Sequence, residues 1–203
     1  MAPGRASSQN CSCRIPSNGH VGACVTIERT TFKGLSVDTA KTSVQSFVST
    51  RLDYCNSLTY GIADGLMQRL QAVQNAAARL ITGARRRDHI SPVLRQLHWL
   101  PVRQRVQYKL AVLVFKALHG QAPQCLTDDC QLVAAAGRRQ LRSSDAVTCL
   151  VPRTRTCLGD RAFGVAGPRL WNALPISLRQ PHLSLRQFPR ALKMHLFDCV
   201  CRA

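Results

Sequence analysis

The groups in this chain able to bind a metal or to serve as nucleophile, acid or base are ten cysteines, six histidines and ten carboxylates. Their spacing argues against most such chemistry. The cysteines stand at Cys11, Cys13, Cys24, Cys55, Cys125, Cys130, Cys149, Cys157, Cys199 and Cys201, and no two make the C-x-x-C element of a zinc finger or ribbon. No apolar run near the start resembles a secretory h-region, so reduced thiols, some of them buried, are expected ahead of disulfides or zinc. His20, His89, His98, His119, His182 and His195 are dispersed, and none lies in a G-x-S-x-G or H-E-x-x-H setting. Glu28 is the single glutamate, and Gly159, Gly164 and Gly167 lack the spacing and lysine of a phosphate-cradling loop. Nucleotidyl transfer needs paired aspartates and a third carboxylate to hold two divalent metals. Asp128-Asp129 is such a pair, but it follows a Gly120/Pro123 helix stop without flanking strands and reads as solvated loop or helix-start charge. No catalytic residue, metal or cofactor is expected.

The remaining chemistry is cationic. Lys and Arg number 28 against ten acidic residues, a formal net charge of +18, and only Lys33, Lys41, Lys109, Lys116 and Lys193 are lysines. Arginine's planar, weakly hydrated fork suits phosphate and stacked bases, so this charge points to a polyanionic partner, nucleic acid before any other. Compositional drift toward arginine is the competing explanation.

The elements that must position these arginines read as helices. Residues 1–35 are rich in Ser, Gly, Pro, Arg and Cys. Pro3, Gly4, Pro16, Ser17, Asn18 and Gly19 break any amphipathic presequence helix, which predicts a disordered leader. Over residues 36–130 a helical period emerges: Thr39–Tyr54 with Val44, Phe47 and Val48 on one face, then Asp64–Thr82 with Asp64 as N-cap and Gly83 as stop. Its stripe is Leu66, Leu70, Val73, Ala77, Leu80 and Ile81. Ser91-Pro92 opens a short helix to Leu97, and Pro101 opens the longest, with Val102, Val106, Leu110, Leu113, Val114, Ala117 and Leu118 on one side. Over residues 131–203 the pattern is mixed. Leu141–Ser144 and Thr148–Arg155 are compatible with short strands, and Gly159-Asp160 starts a helical turn through Val165. Gly167-Pro168 is expected to break the chain before Arg169–Leu174, and a last helix runs from Ser184 to Phe197 with Pro189 in its first turns. The fold expected is mainly α, a bundle of amphipathic helices with an irregular, short-stranded C-terminal extension. No apolar stretch approaches the roughly 18 residues of a membrane helix.

An ordered series of segments carries a resemblance. It begins with Ser49-Thr50-Arg51-Leu52-Asp53-Tyr54-Cys55-Asn56-Ser57-Leu58, Tyr60-Gly61 and Leu70-Gln71-Ala72-Val73-Gln74-Asn75-Ala76-Ala77-Ala78-Arg79-Leu80-Ile81-Thr82-Gly83. His89-Ile90-Ser91-Pro92-Val93-Leu94, Leu97-His98-Trp99-Leu100-Pro101-Val102, Lys116-Ala117-Leu118-His119-Gly120 and Leu141-Arg142-Ser143-Ser144 follow. Val151-Pro152-Arg153-Thr154-Arg155, Gly159-Asp160-Arg161-Ala162-Phe163 and Pro168-Arg169-Leu170-Trp171-Asn172-Ala173-Leu174-Pro175 complete it. In order and spacing these resemble the C-terminal, post-palm region of the reverse transcriptase reading frame of LINE-type, jockey-like non-long-terminal-repeat retrotransposons, over about residues 36–198. The resemblance implies thumb-like helices that grip template–primer or element RNA beside a polymerase palm. The family's Tyr-x-Asp-Asp does not occur here, so the chain is expected to be non-catalytic.

The residues expected at a nucleic-acid interface are Arg69 and Arg79 off the apolar stripe, and Arg85, Arg86 and Arg87 after the Gly83 stop. Arg103 and Arg105 beside the long helix's core face, Arg153 and Arg155 by Pro152, and Arg161 and Arg169 complete the set. Trp99 and Trp171 sit in apolar knots and are expected in the core rather than stacked on bases. The partners expected are RNA or DNA, read without sequence preference, and, through the resemblance, a reverse transcriptase palm. Neither membrane nor small-molecule substrate is expected, and an intracellular setting, nuclear or cytoplasmic, follows from the same reading.

Overall fold

The long helix Val102–Leu118 is flanked on two sides, and the rest of the fold is arranged around it. In a computed structural model of the chain, residues 36–134 and 147–202 are described; the leader read over 1–35 and the Leu141–Ser144 stretch lie outside them. Helices α1 (Val37–Val44), α2 (Thr50–Asp53), α3 (Asp64–Thr82), α4 (Ile90–Gln96) and α5 (Val102–Leu118) follow in order. Then come α6 (Gln124–Asp128), α7 (Phe163–Ala173) and α8 (Gln187–Arg202). Short 3-10 turns at Asn56–Thr59, Gly159–Arg161 and Ile176–Leu178 join them. The protein is mainly helical, and the only β pairing among the described residues is the isolated antiparallel bridge between Leu132 and Cys149.

Two apolar clusters meet on α5. Its first half buries Val102, Val106 and Leu110 against Met67 of α3, with Leu52, Tyr60, Ile62 and Leu70 around them. Its second half buries Ala111, Val114, Phe115 and Ala117 against Trp171, Leu174, Phe188, Leu192 and Leu196. The stripe read from sequence missed Ala111 and Phe115 because α5 is covered on more than one side, which widens its apolar face beyond a single row. Phe115 stacks on Phe188 with ring centroids 4.2 Å apart and on His119 at 4.0 Å, and Trp171 lies 5.8 Å from Phe188. Both tryptophans are buried, Trp171 with its indole N–H donating to the Val147 carbonyl at 2.9 Å.

Helix ends follow local chemistry. Gly83 closes α3 at φ +70°, its N–H donating to the Arg79 carbonyl. Gly120, at φ +66°, ends α5 in a Schellman motif: its own N–H reaches Ala117 O, and the Gln121 N–H reaches Lys116 O. Ser184 and Gln187 form a capping box ahead of α8, each backbone N–H donating to the other's side chain. Pro189 therefore falls in the opening turns, where a missing N–H is tolerated.

Three expectations are corrected. The first helix does not run unbroken from Thr39 to Tyr54: a π-helical turn, Gln45–Ser49, interrupts it. Val44 just before that turn and Ser49 at its end are both buried, while Phe47 within it is 70% exposed. Asp64 lies inside α3 as its first residue, and Ala63 holds the N-cap position, leaving the carboxylate to act on the first-turn dipole. The chain also does not break at Gly167-Pro168; α7 runs through both. Gly167 lacks the Cβ that would collide with a following proline ring, and Pro168 is fully buried in the packing of α7 on α5.

Candidate nucleic-acid interface

Each arginine of the predicted set has a place in the fold, and the set divides by what its guanidinium touches. Arg105 is only 11% exposed and is held from two directions, by Asp53 at 2.7 Å and by the Leu100 carbonyl at 3.0 Å. Arg161 reaches the Tyr60 carbonyl at 3.1 Å and the Leu58 carbonyl at 3.3 Å, across 101 and 103 residues of sequence. Gly61, at φ +68°, leaves room for it: a Cβ there would stand 3.0 Å from Arg161 Cγ. Arg79 is half-buried and donates to the Asp88 carbonyl at 3.4 Å. These three guanidiniums tie chain segments together.

Arg103 and Arg169 are exposed and ion-paired, with Asp64 and with Asp160 respectively. Such pairs at the surface are weak and exchangeable, so both guanidiniums can turn to a phosphate. Arg69 is exposed on α3.

Arg85, Arg86 and Arg87 are all exposed, on a turn that one carboxylate organises. Asp88 accepts the Arg85 backbone N–H at 2.6 Å, and its own N–H returns to the Arg85 carbonyl at 3.1 Å. This local closure, with Arg79 bracing the Asp88 carbonyl from α3, presents three guanidiniums from a fixed backbone. Arg153 and Arg155 are also exposed and flank Thr154, whose hydroxyl donates to Asp160. The same carboxylate receives Arg169 at 2.9 Å. Hydrogen bonds from Thr154 and then Arg169 hold the Asp160 pKa below its ordinary value, keeping it anionic.

Asp88 and Asp160 thus support the two exposed arginine groups, roles that sequence reading did not assign to either. A turn-forming Asp directly after a basic run is the local signal for the first. Arg51, Arg186 and Arg190 are further exposed arginines outside the predicted set, the last two one helical turn apart in sequence.

The aspartate pair makes local contacts. Asp128 accepts the Gln124 side-chain amide at 2.8 Å. Asp129 lies against Gly164, where an added Cβ would meet its carboxylate at 3.1–3.3 Å. That places the negative charge at the first turn of α7, the electropositive end of a helix. Among the described residues no three His, Cys, Asp or Glu side chains converge as a metal site, and no helix is long and apolar enough to cross a membrane. No protein-family model, curated protein or solved structure matches the chain.

Proposed function

We propose that this chain is a non-catalytic nucleic-acid-binding piece, related to the C-terminal region of a LINE-type reverse transcriptase, that grips RNA or DNA through phosphates without sequence preference. The carrying observation is the braced Arg85-Arg86-Arg87 turn on a chain of net charge +18. Exposed guanidiniums on a preorganised turn lose little entropy on meeting phosphates, and Arg153 and Arg155 extend the cationic surface. Neutralising about six phosphates of a single strand gives a log–log salt slope of roughly −4. Fluorescence anisotropy of the full chain with labelled 20-mers across a salt series tests this. Binding that is flat with salt, or absent at low salt, removes the proposal. A remnant with no selected role would bind heparin and RNA alike and ignore substitution of the arginine turn.

One observation favours a second reading, an accessory part working beside a separately encoded palm. Phe47, Tyr54 and Leu58, three large apolar side chains close in sequence, each stand 70–78% exposed. Primer extension by a palm supplied in trans, with and without this chain, tests it.

A further inference from the structure

On α8 the Nε2 of His195 stands 3.6 Å from the Sγ of Cys199, one helical turn further on. His195 is half-buried and Cys199 exposed, so the pair opens to solvent at its thiol end. A tetrahedral Zn2+ ion, with Zn–S of about 2.3 Å and Zn–N of about 2.0–2.1 Å, holds its sulfur and nitrogen donors about 3.5 Å apart. The two side chains already have that separation, and the i,i+4 spacing places them on one helix face. An imidazole and a thiolate select a borderline-soft cation over Mg2+ or Ca2+. The nearest other carboxylate in sequence, Asp198, pairs with Arg95 at 3.9 Å. No third His, Cys, Asp or Glu joins the pair among the described residues, while a closed structural zinc site takes four donors.

We propose that His195 and Cys199 are half of a Zn2+ site, completed by the same pair from a second copy of this chain. A two-fold axis through the metal brings identical surfaces together and supplies two sulfur and two nitrogen donors. On binding, each Cys199 thiol releases its proton to solvent as its Zn–S bond forms, so two protons leave per Zn2+ and association tightens as pH rises.

The test uses the full chain, reduced and metal-free. Zn2+ titration followed by sedimentation velocity is expected to give a dimer with one metal per two chains, reversed by a chelator. Co2+ in place of Zn2+ is expected to show thiolate charge-transfer and tetrahedral d–d bands. C199S and H195A should each abolish the dimer and these bands while keeping the helical circular dichroism and the RNA affinity in metal-free buffer. A triple Cys11, Cys13 and Cys24 to Ser variant should dimerise normally. One metal per chain without association, a dimer that survives C199S, or loss of the metal in the triple variant overturns the proposal.

Discussion

The Gln74 carboxamide, with no exposed surface, donates to the Leu100 main-chain carbonyl at 2.8 Å, joining α3 to the residue just before the Pro101 cap of α5. The same carbonyl accepts Arg105 Nε at 3.0 Å, so both of its lone pairs are engaged. One turn earlier on α3, Gln71 accepts the Val102 N–H at 2.8 Å. Pro101 offers no side-chain cap, so α3 satisfies one of the orphan donors at the start of α5. Two segments nearly thirty residues apart, around Gln71-Gln74 and around Leu100-Val102, are therefore joined through hydrogen bonds.

Gln74 and Arg105 are expected to be coupled through that carbonyl. Either Q74L or R105M leaves it one partner and should cost on the order of 1 kcal/mol. Together they leave it none, and the double variant should lose about 1 kcal/mol more than the sum. Urea denaturation of the four proteins measures this, and strict additivity would sink the idea.

Gly167 is expected to resist alanine although it lies inside a helix. A Cβ there would come within 2.8 Å of Val114 Cγ2, on a residue with no exposed surface. The overpacking should cost about 1–3 kcal/mol, outweighing alanine's better helix propensity. V114A should partly rescue G167A in thermal melts, because V114A vacates the space into which G167A adds a methyl; equal loss in both backgrounds would count against it.

Helix positions were legible wherever the cause is local. Asp64–Thr82 and the α5 span follow from apolar period and glycine stops. Long-range roles were not. Arg105 and Arg161 look like any other surface arginines until Asp53 and the Tyr60 carbonyl, 52 and 101 residues away, are brought to them. Gln74 reads as polar surface for the same reason. Pro168 signals a break in sequence, and its place inside α7 depends on packing against α5. The arginine turn was visible as a charge run, but its brace lies in the hydrogen bonds among Arg79, Arg85 and Asp88, which composition does not report.

Cys130 and Cys149, the thiols buried among the described residues, should stay inert in the folded protein. Burial, aided by the nearby Asp129, pushes Cys130 up to about 11; burial, aided by Cys130 and opposed by Arg179, pushes Cys149 up to about 12. At pH 8 iodoacetamide should modify the exposed Cys55, Cys125, Cys157 and Cys199 and spare Cys130 and Cys149, as read by peptide mass spectrometry. The linkage runs one way. With folded pKa values raised, the unfolded chain binds fewer protons above about pH 9, so stability is full below that and falls as pH rises toward 11–12. Asp160 acts on the acid side: its lowered pKa contributes stability above the unfolded value that is lost as pH falls through the folded one. Labelling of Cys149 at pH 8 at the rate of Cys157 would contradict the alkaline half.

The Asp88 brace can be separated from the charge it carries. Removing a carboxylate beside three arginines makes the turn more cationic, so charge alone predicts tighter RNA binding for any neutral replacement. D88N and D88A carry the same charge, but Asn keeps an oxygen able to accept the Arg85 N–H and favours the same turn, while Ala keeps neither. The freed turn must be ordered on binding, at roughly 1 kcal/mol for each residue that loses its fixed backbone. D88N should therefore bind a 20-mer several-fold more tightly than D88A, with steeper salt dependence. R85Q/R86Q/R87Q should weaken binding further and reduce the salt slope by about 2. Equal affinity of D88N and D88A would show that the arginines act as a mobile charge cloud, and an unchanged slope in the triple variant would move the interface elsewhere.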